Sequence, residues 1–463
     1  FIYKLAQALA RENKTSELSE LKNLKSREKE REEWRNIAVM QRKGPSGQVT
    51  KVYQTVEVKT KERETRKVKN ECTTPASMEE AIMSENLARF TRCIASCAMF
   101  TTMLLSHLGT LCQGSKVQDI LKGTYNPPSD RINPFAMDYL TAVSWDPIPQ
   151  EEATGKSYIS AAENSAAWKK QKAGTASEPS QLGYAENIIA AYSQELSEVD
   201  ASLRSAPYEC GFSPEDWEVI TDFQILKEPG VYEVEKMRTI ALFAAQFNMN
   251  NKKMGREMMV DSERTGTILE DNSGSRKDRN CITVALEKML SLDIIRQLKC
   301  AAVQLETDLT QGYDRMLHCT TMLCMIQQGV PFEAALCMFE TLANAEHFVI
   351  TAHGRSKKSY GGRKYNRSHT IPMQSIGQGN GFAPPGFLIH LNNIIKSMKK
   401  KGYVAVFRAC ISLIFLIMVC YAFVDDTKLE TVAEDVNDDG ESQLPRAQAS
   451  LDHWAGMIEA TGG

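Results

Sequence analysis

Asp308, Asp425 and Asp426 are the residues around which chemistry is most readily built. Asp308 follows an apolar stretch (Ala301, Ala302, Val303, Leu305) and precedes a helical one, which predicts a strand end with the carboxylate facing a cleft. Asp425-Asp426 closes a long β-branched and aromatic run ending Tyr421-Ala422-Phe423-Val424. Burying neighbouring carboxylates costs several kcal/mol each unless a cation neutralises them. A divalent metal is the natural compensator. An isolated Asp-Asp more often marks a surface turn, so the weight comes from what lies between the two acidic segments. Ser375-Ile376-Gly377-Gln378-Gly379-Asn380-Gly381 is a Gly-rich turn that lets backbone approach a nucleotide, and the amphipathic segment 387–395 follows it. Its GxGxG has no βαβ context and is a poor dinucleotide fingerprint. Arg355, Lys357, Lys358, Arg363, Lys364 and Arg367 form a basic stretch without an acid, interleaved by Tyr360 and Tyr365. That composition suits phosphate contacts and base stacking on nucleic acid; the alternative is a solvated hairpin tip.

Taken in order, these segments resemble the palm of reverse transcriptases of the non-LTR retrotransposon type. Asp308 with Tyr313 and Asp314 is similar to the family's D-x-x-x-x-[FY]-D motif, Gln378-Gly379 with Pro384 to Q-G-x-x-x-x-P, and Phe423-Val424-Asp425-Asp426 to [YF]-x-D-D. Upstream, Gly274-Ser275-Arg276-Lys277-Asp278-Arg279 resembles the fingers motif G-F-R-K-G-R, with Asp278 where the family has Gly. A stretch read as helical, 234–259, also looks like fingers sequence. The resemblance covers about 230–463. It implies an RNA-directed DNA polymerase that extends a DNA primer on an RNA template with deoxynucleoside triphosphates. It further implies that Asp308 and Asp425 are the principal ligands of two Mg2+ ions (Mn2+ as the substitute), with Asp426 assisting. Arg276 and Lys277 would neutralise the triphosphate. Gln378 and Gly379 would lie at the nucleotide, and Tyr313 would crowd a ribose 2′-hydroxyl. For Tyr313 an ordinary core aromatic is the alternative reading. Two-metal nucleotidyl transfer needs ions about 3.5–4 Å apart held by carboxylates from separate strands, a demand these three acids suit.

The elements that must position these groups follow from the pattern. The expected fold class is α+β, which the resemblance makes a right-hand polymerase fingers and antiparallel palm sheet preceded by a mainly helical region. Residues 1–70 form a basic helical arm, 71–215 a mainly helical region of unassigned role, and 216–463 the fingers and palm, ending before a thumb. Within the arm, 1–39 reads as a helix with Leu18, Leu21 and Leu24 on one stripe, broken at Gly44-Pro45-Ser46-Gly47, and 52–58 alternates like a strand. Residues 79–108 read as helical with a buried end. The segment 150–182 reads as polar surface, and Ile188, Ile189, Tyr192, Leu196 and Val199 have the spacing of an amphipathic helix. His318, His353 and His369 show no partners in the sequence.

The chain has 463 residues and a net charge of −3, with 42% hydrophobic and 24% charged residues. These values exclude a wholly disordered, collagen-like or multi-span membrane protein. Residues 1–70 carry 18 Lys and Arg against 10 Asp and Glu, a local +8, so the remainder sums to −11. A basic arm on an acidic body points to a polyanion partner or to a solvated linker. Twelve Cys without a CxxC pair suggest core thiols in a reducing, intracellular setting, nucleus or cytoplasm. Opening without Met and closing on Gly462-Gly463, the chain reads as a fragment. Residues 409–424 are apolar apart from Ser412, 16 residues against roughly 18–20 for a membrane span. Buried strands are the preferred reading because the run is rich in Ile, Val, Phe and Tyr and stops at the carboxylates. A single-pass membrane-anchored helical protein and a catalytically inactive nucleic-acid-binding remnant are the alternatives.

Overall fold

Strand pairing and helix caps in the computed structural model follow local sequence closely. It describes residue 31 and residues 49–59, 65–408, 415–433 and 440–463. Most of the 1–39 segment, the break at 44–47 and the first six residues of the apolar run, 409–414, lie outside the described residues.

The alternating segment forms β1 (Val52–Lys59), which pairs antiparallel with β2 (Thr65–Cys72). Thr74 and Ser77 then make a reciprocal capping box, and with Pro75 in the first turn they start α1 (Pro75–Thr91). Helices α2 (Thr102–Leu108), α3 (Val117–Leu121), α4 (Pro134–Val143), α5 (Ala161–Lys169), α6 (Tyr184–Ala190) and α7 (Gln194–Cys210) follow. Next come β3 (Val219–Leu226), β4 (Met237–Leu242), α8 (Ala245–Thr265), α9 (Cys281–Leu298) and β5 (Ala302–Asp308). After α10 (Gly312–Arg315), α11 (His318–Gln327) and α12 (Phe332–Ala343) the chain makes β6 (Glu346–Thr351), β7 (Gly354–Arg355), β8 (Tyr360–Gly361) and α13 (Gly362–Asn366). It finishes with α14 (Ala383–Lys400), β9 (Ala405–Arg408), β10 (Phe415–Met418), β11 (Cys420–Phe423), β12 (Asp426–Val432) and α15 (Gly440–Ala460).

The fold is α+β. A mixed sheet runs β4-β3-β6-β7, with β8 also on β6; β3 and β6 are parallel and the other pairs antiparallel. A separate three-stranded antiparallel sheet has the order β11-β12-β5. Its inner face meets the main core through Cys420, Ala422 and Leu429. Helix α14 runs through the same core, where its buried Asn392 accepts from Leu269 N (2.9 Å) and donates to Thr267 O (2.8 Å). Tyr208 and Trp217, on either side of position 215, belong to this one core.

Three expectations change. The stretch 234–259 is not continuous helix: residues 237–242 form β4, because Met237, Thr239 and Ala241 alternate inward against outward Arg238. The 150–182 segment is more than surface: a Ser160–Glu163 capping box starts α5, and Trp168 and Glu178 are fully buried. Ile189, Tyr192, Leu196 and Val199 are spaced as a core stripe yet exposed. Helix α7 instead buries the small residues Ser197, Ala201 and Ser205, which allow close packing, together with Arg204 and Tyr208. The Arg204 guanidinium finds Asn164 and Asn250 (2.9 Å).

The apolar run also resolves in part. Its described residues are β10, the single residue Val419, β11 and the turn residue Val424. No helix among the described residues is long and apolar enough to cross a membrane.

Candidate carboxylate site

The outer face of the antiparallel sheet carries three successive cross-strand pairs: Asp426 opposite Asp308, Lys428 opposite Glu306, and Glu430 opposite Gln304. Directly opposed residues point to the same face, with Cα atoms about 4.5–5.5 Å apart. Two of these rungs satisfy themselves. Gln304 Nε2 donates to Glu430 Oε1, and Lys428 Nζ lies 3.3 Å from Glu306 Oε1. The Asp308–Asp426 rung does not, because like charges placed opposite each other repel. Both carboxylates are exposed, and no hydrogen bond or ion pair among the described residues engages them. They border a cleft of about 430 Å³ between α9 and the sheet, lined also by Lys288, Lys428, Tyr421 and Phe423. Burial and the nearby Lys428 ammonium lower the pKa of Lys288.

Asp425 sits beside this pair in the two-residue turn that joins Phe423 to its ladder partner Asp426. Val424, at the first turn position, has φ +59°, a left-handed conformation that a β-branched residue rarely adopts. The turn is backed by the loop after α8. Ser273 N donates to Ala422 O (2.9 Å) and Ala422 N to Asp271 O (2.9 Å). A Cβ on Gly274 would come within 2.5 Å of Val424 N, so only glycine permits this contact. Residues 271–274, leading into the Gly274–Arg279 segment, are therefore stitched edge to edge to the Asp-Asp hairpin. Asp278, which replaces the glycine of the resembled motif, has φ +61°, the region where Gly is easiest and Asp is among the tolerated residues.

Tyr313 links two further segments. Its ring meets Phe387 edge-on at 5.5 Å, and burial, with the Asp425 charge nearby, raises its phenol pKa. Its carbonyl accepts from Ile376 N (3.2 Å) and Ser375 Oγ (3.3 Å), which ties the Asp308 turn to the Gly-rich loop. That loop is also fixed to β4: Ala241 N donates to Gln378 O (2.8 Å), and a Cβ on Gly379 would come within 2.4 Å of Ala241 O. Asn248 of α8 clamps it from the far side, accepting from Gly381 N (2.6 Å) and donating to Gly379 O (3.2 Å).

Other candidates lie differently. The Arg276 guanidinium is nearly buried, paired bidentate with Glu263 (2.7 Å twice) and donating to Leu269 O and Asn272 O. It organises its own loop, while Lys277 is exposed. The basic stretch runs through β7, the connection to β8, and α13 beside the mixed sheet, and among the described residues no hydrogen bond or ion pair joins it to the three acids. Arg355 pairs with Glu178 (3.1 Å) over the Phe348 ring, and Arg363 holds Glu218 at 2.8 and 2.7 Å. Tyr360 is no stacking platform, because its hydroxyl donates to buried Asp222. Lys357, Lys358, Lys364 and Arg367 remain exposed, and Tyr365 stacks on His369 at 3.8 Å. His318 does have partners: it is buried against Ser375 O (2.9 Å), and desolvation lowers its pKa to about 4.

Lys288, Glu306, Lys428 and Asn248 were not singled out from sequence. The period-two alternation of 304, 306 and 308 against 426, 428 and 430 carried the signal for Glu306 and Lys428, legible only once the strands are paired; Lys288, on α9, had none. Among the described residues no three His, Cys, Asp or Glu side chains form a ready-made metal group. What converges is one aspartate pair with a third aspartate next to it, an oxygen-only set. Magnesium takes one or two carboxylates when phosphate and water supply its other ligands, so the residues present fit it. In comparison with known proteins, the chain matches no protein-family model and no curated protein.

Proposed function

We propose that this chain is the fingers and palm of an RNA-directed DNA polymerase of retroelement type, working inside the cell. On this reading it extends a primer 3′-end on an RNA template with deoxynucleoside triphosphates. The observation that carries the reading is the register of Asp426 on Asp308: two acids far apart in sequence become ladder partners, with Asp425 adjoining them in the turn. Supporting it, the four segments that resemble reverse-transcriptase motifs are joined by backbone contacts: 271–274 to β11, and 313 to 375–376.

Asp308 and Asp425, helped by Asp426, would hold two Mg2+ ions, whose chemistry is to activate the primer 3′-hydroxyl and neutralise the triphosphate. The chain's own residues do the positioning. The Gly-rich loop is held in place at Gly379, whose close approach to Ala241 and bond from Asn248 fix the loop that the resemblance sets at the nucleotide. Tyr313, pinned by Phe387, stands over the Asp308 turn where it would exclude a 2′-hydroxyl. The test is extension of a primed RNA template in Mg2+, lost in Asp425→Ala.

One observation favours a second reading, a nucleic-acid-binding chain that does not extend. Arg276, the cation assigned to the triphosphate by resemblance, is spent on Glu263. Salt-sensitive template binding with no extension under any metal would select that reading.

A further inference from the structure

We infer a phosphate-binding subsite on the same sheet face, one rung in from the aspartate pair, formed by Lys288 and Lys428. Lys428 rises from β12 opposite Glu306, and Lys288 reaches the same point from α9. Their Nζ atoms lie 3.3 Å and 3.8 Å from a single oxygen, Glu306 Oε1. Two ammoniums thus converge on one carboxylate oxygen, and Glu306 is the only ion-pair partner of either lysine among the described residues. The lysines are held, with side chains 14% and 32% exposed, whereas the Glu306 side chain is 77% exposed and can swing into water. Exposed ion pairs hold weakly, so an anion of higher charge displaces Glu306. Charge-assisted bonds from two ammoniums suit phosphoryl oxygens.

The neighbouring rung sharpens the ligand class. Adjacent rungs on one face are about 6.5–7 Å apart, so an aspartate pair and a lysine pair lie side by side in one cleft. A ligand that answers both presents a metal-bound end to Asp308 and Asp426 and a bare phosphate to Lys288 and Lys428. Inorganic pyrophosphate and a phosphodiester strand share that chemistry. The inference rests on the polymerase reading only for which of these it meets in use; the anion site stands on the lysines themselves.

The experiment titrates the full chain with inorganic pyrophosphate and, separately, with a short single-stranded oligodeoxythymidylate, each in metal-free buffer and in Mg2+. Metal-free binding should weaken about tenfold or more in Lys428→Gln and Lys288→Gln, and tighten several-fold in Glu306→Gln, which frees both ammoniums. An effect confined to pyrophosphate assigns the subsite to small polyphosphates, and one confined to the oligonucleotide assigns it to backbone phosphates; either upholds it. Equal affinities across wild type and both folded lysine variants overturn it, as does a Glu306→Gln chain that binds no tighter. Wild-type binding indifferent to Mg2+ counts against the metal reading alone, because the lysine effect is read without metal.

Discussion

On the mixed sheet, Asp222 is fully buried and meets Asn86 Nδ2 (3.4 Å), His347 Nδ1 (3.2 Å) and the Tyr360 hydroxyl; on the antiparallel sheet, Asp308 and Asp426 face each other with no such partners. Around Asp222 the network continues through Thr239, which bonds Asn86 (2.8 Å) and Arg89 (3.1 Å). A buried acid answered on every side is a piece of architecture. Exposed acids set against each other, on a strand pair whose next two rungs are complementary, are what the proposed metal site requires. The difference teaches that satisfaction, rather than acidity or burial alone, separates structural from binding carboxylates.

The largest effects should break the two clusters in opposite ways. Asp308→Asn should reduce primer extension by at least about a thousandfold, roughly 4 kcal/mol of lost transition-state stabilisation. The same change should leave urea unfolding unaltered or slightly improved, since it relieves a like-charge pair worth roughly 0.2–1 kcal/mol. Asp222→Ala should do the reverse of that stability result. It strands His347, Tyr360 and Asn86 and should lower the unfolding free energy by roughly 3–5 kcal/mol. Equal losses of stability in both variants would erase the distinction.

How much of this contrast was legible in the sequence depended on range. The acids, the Gly-rich loop and the strand ending at Asp308 could be read from local pattern, because alternation, turn residues and apolar runs are short-range signals. The α+β class followed from them. The fate of the basic residues could not be read. Arg276, Arg355 and Arg363 look alike in sequence, but each is neutralised by a distant or unmarked acid: Glu263, Glu178 and Glu218. Helix α7 misled for a related reason: its periodic apolar stripe is the exposed one, while small residues with Arg204 and Tyr208 make the buried face.

Asp314 lies between the two regimes and gives a pH test of them. It is buried near Arg89 (Nη1 at 3.9 Å), and desolvation, only partly offset by that arginine, raises its pKa from 3.8 to about 6. A carboxyl with a folded pKa above its unfolded value contributes stability that is fully present below about pH 4 and is lost as pH rises through 6. The loss amounts to about 3 kcal/mol by pH 7. Asp314→Asn should therefore gain on wild type in urea melts as pH rises from 4 to 7 and show no gain at pH 4. A gain constant across that range would mean that the Asp314 carboxyl is satisfied like Asp222.

The smallest effect concerns the turn that presents Asp425. A left-handed φ costs an L-residue roughly 1–2 kcal/mol, more awkwardly for β-branched Val424, and glycine escapes that cost while losing about 0.5–1 kcal/mol through its freer unfolded chain. Val424→Gly should accordingly raise the unfolding free energy by no more than about 1 kcal/mol. It should also loosen Asp425 relative to the Asp308–Asp426 rung and slow extension several-fold. Opposite signs for stability and activity are what strain held at a working site produces, because the contact from Gly274 and the ladder on both flanks keep the turn in a shape that Val424 alone would not choose. A variant that loses stability and keeps full activity would place Val424 with the satisfied residues of the mixed sheet, and the turn would be ordinary architecture.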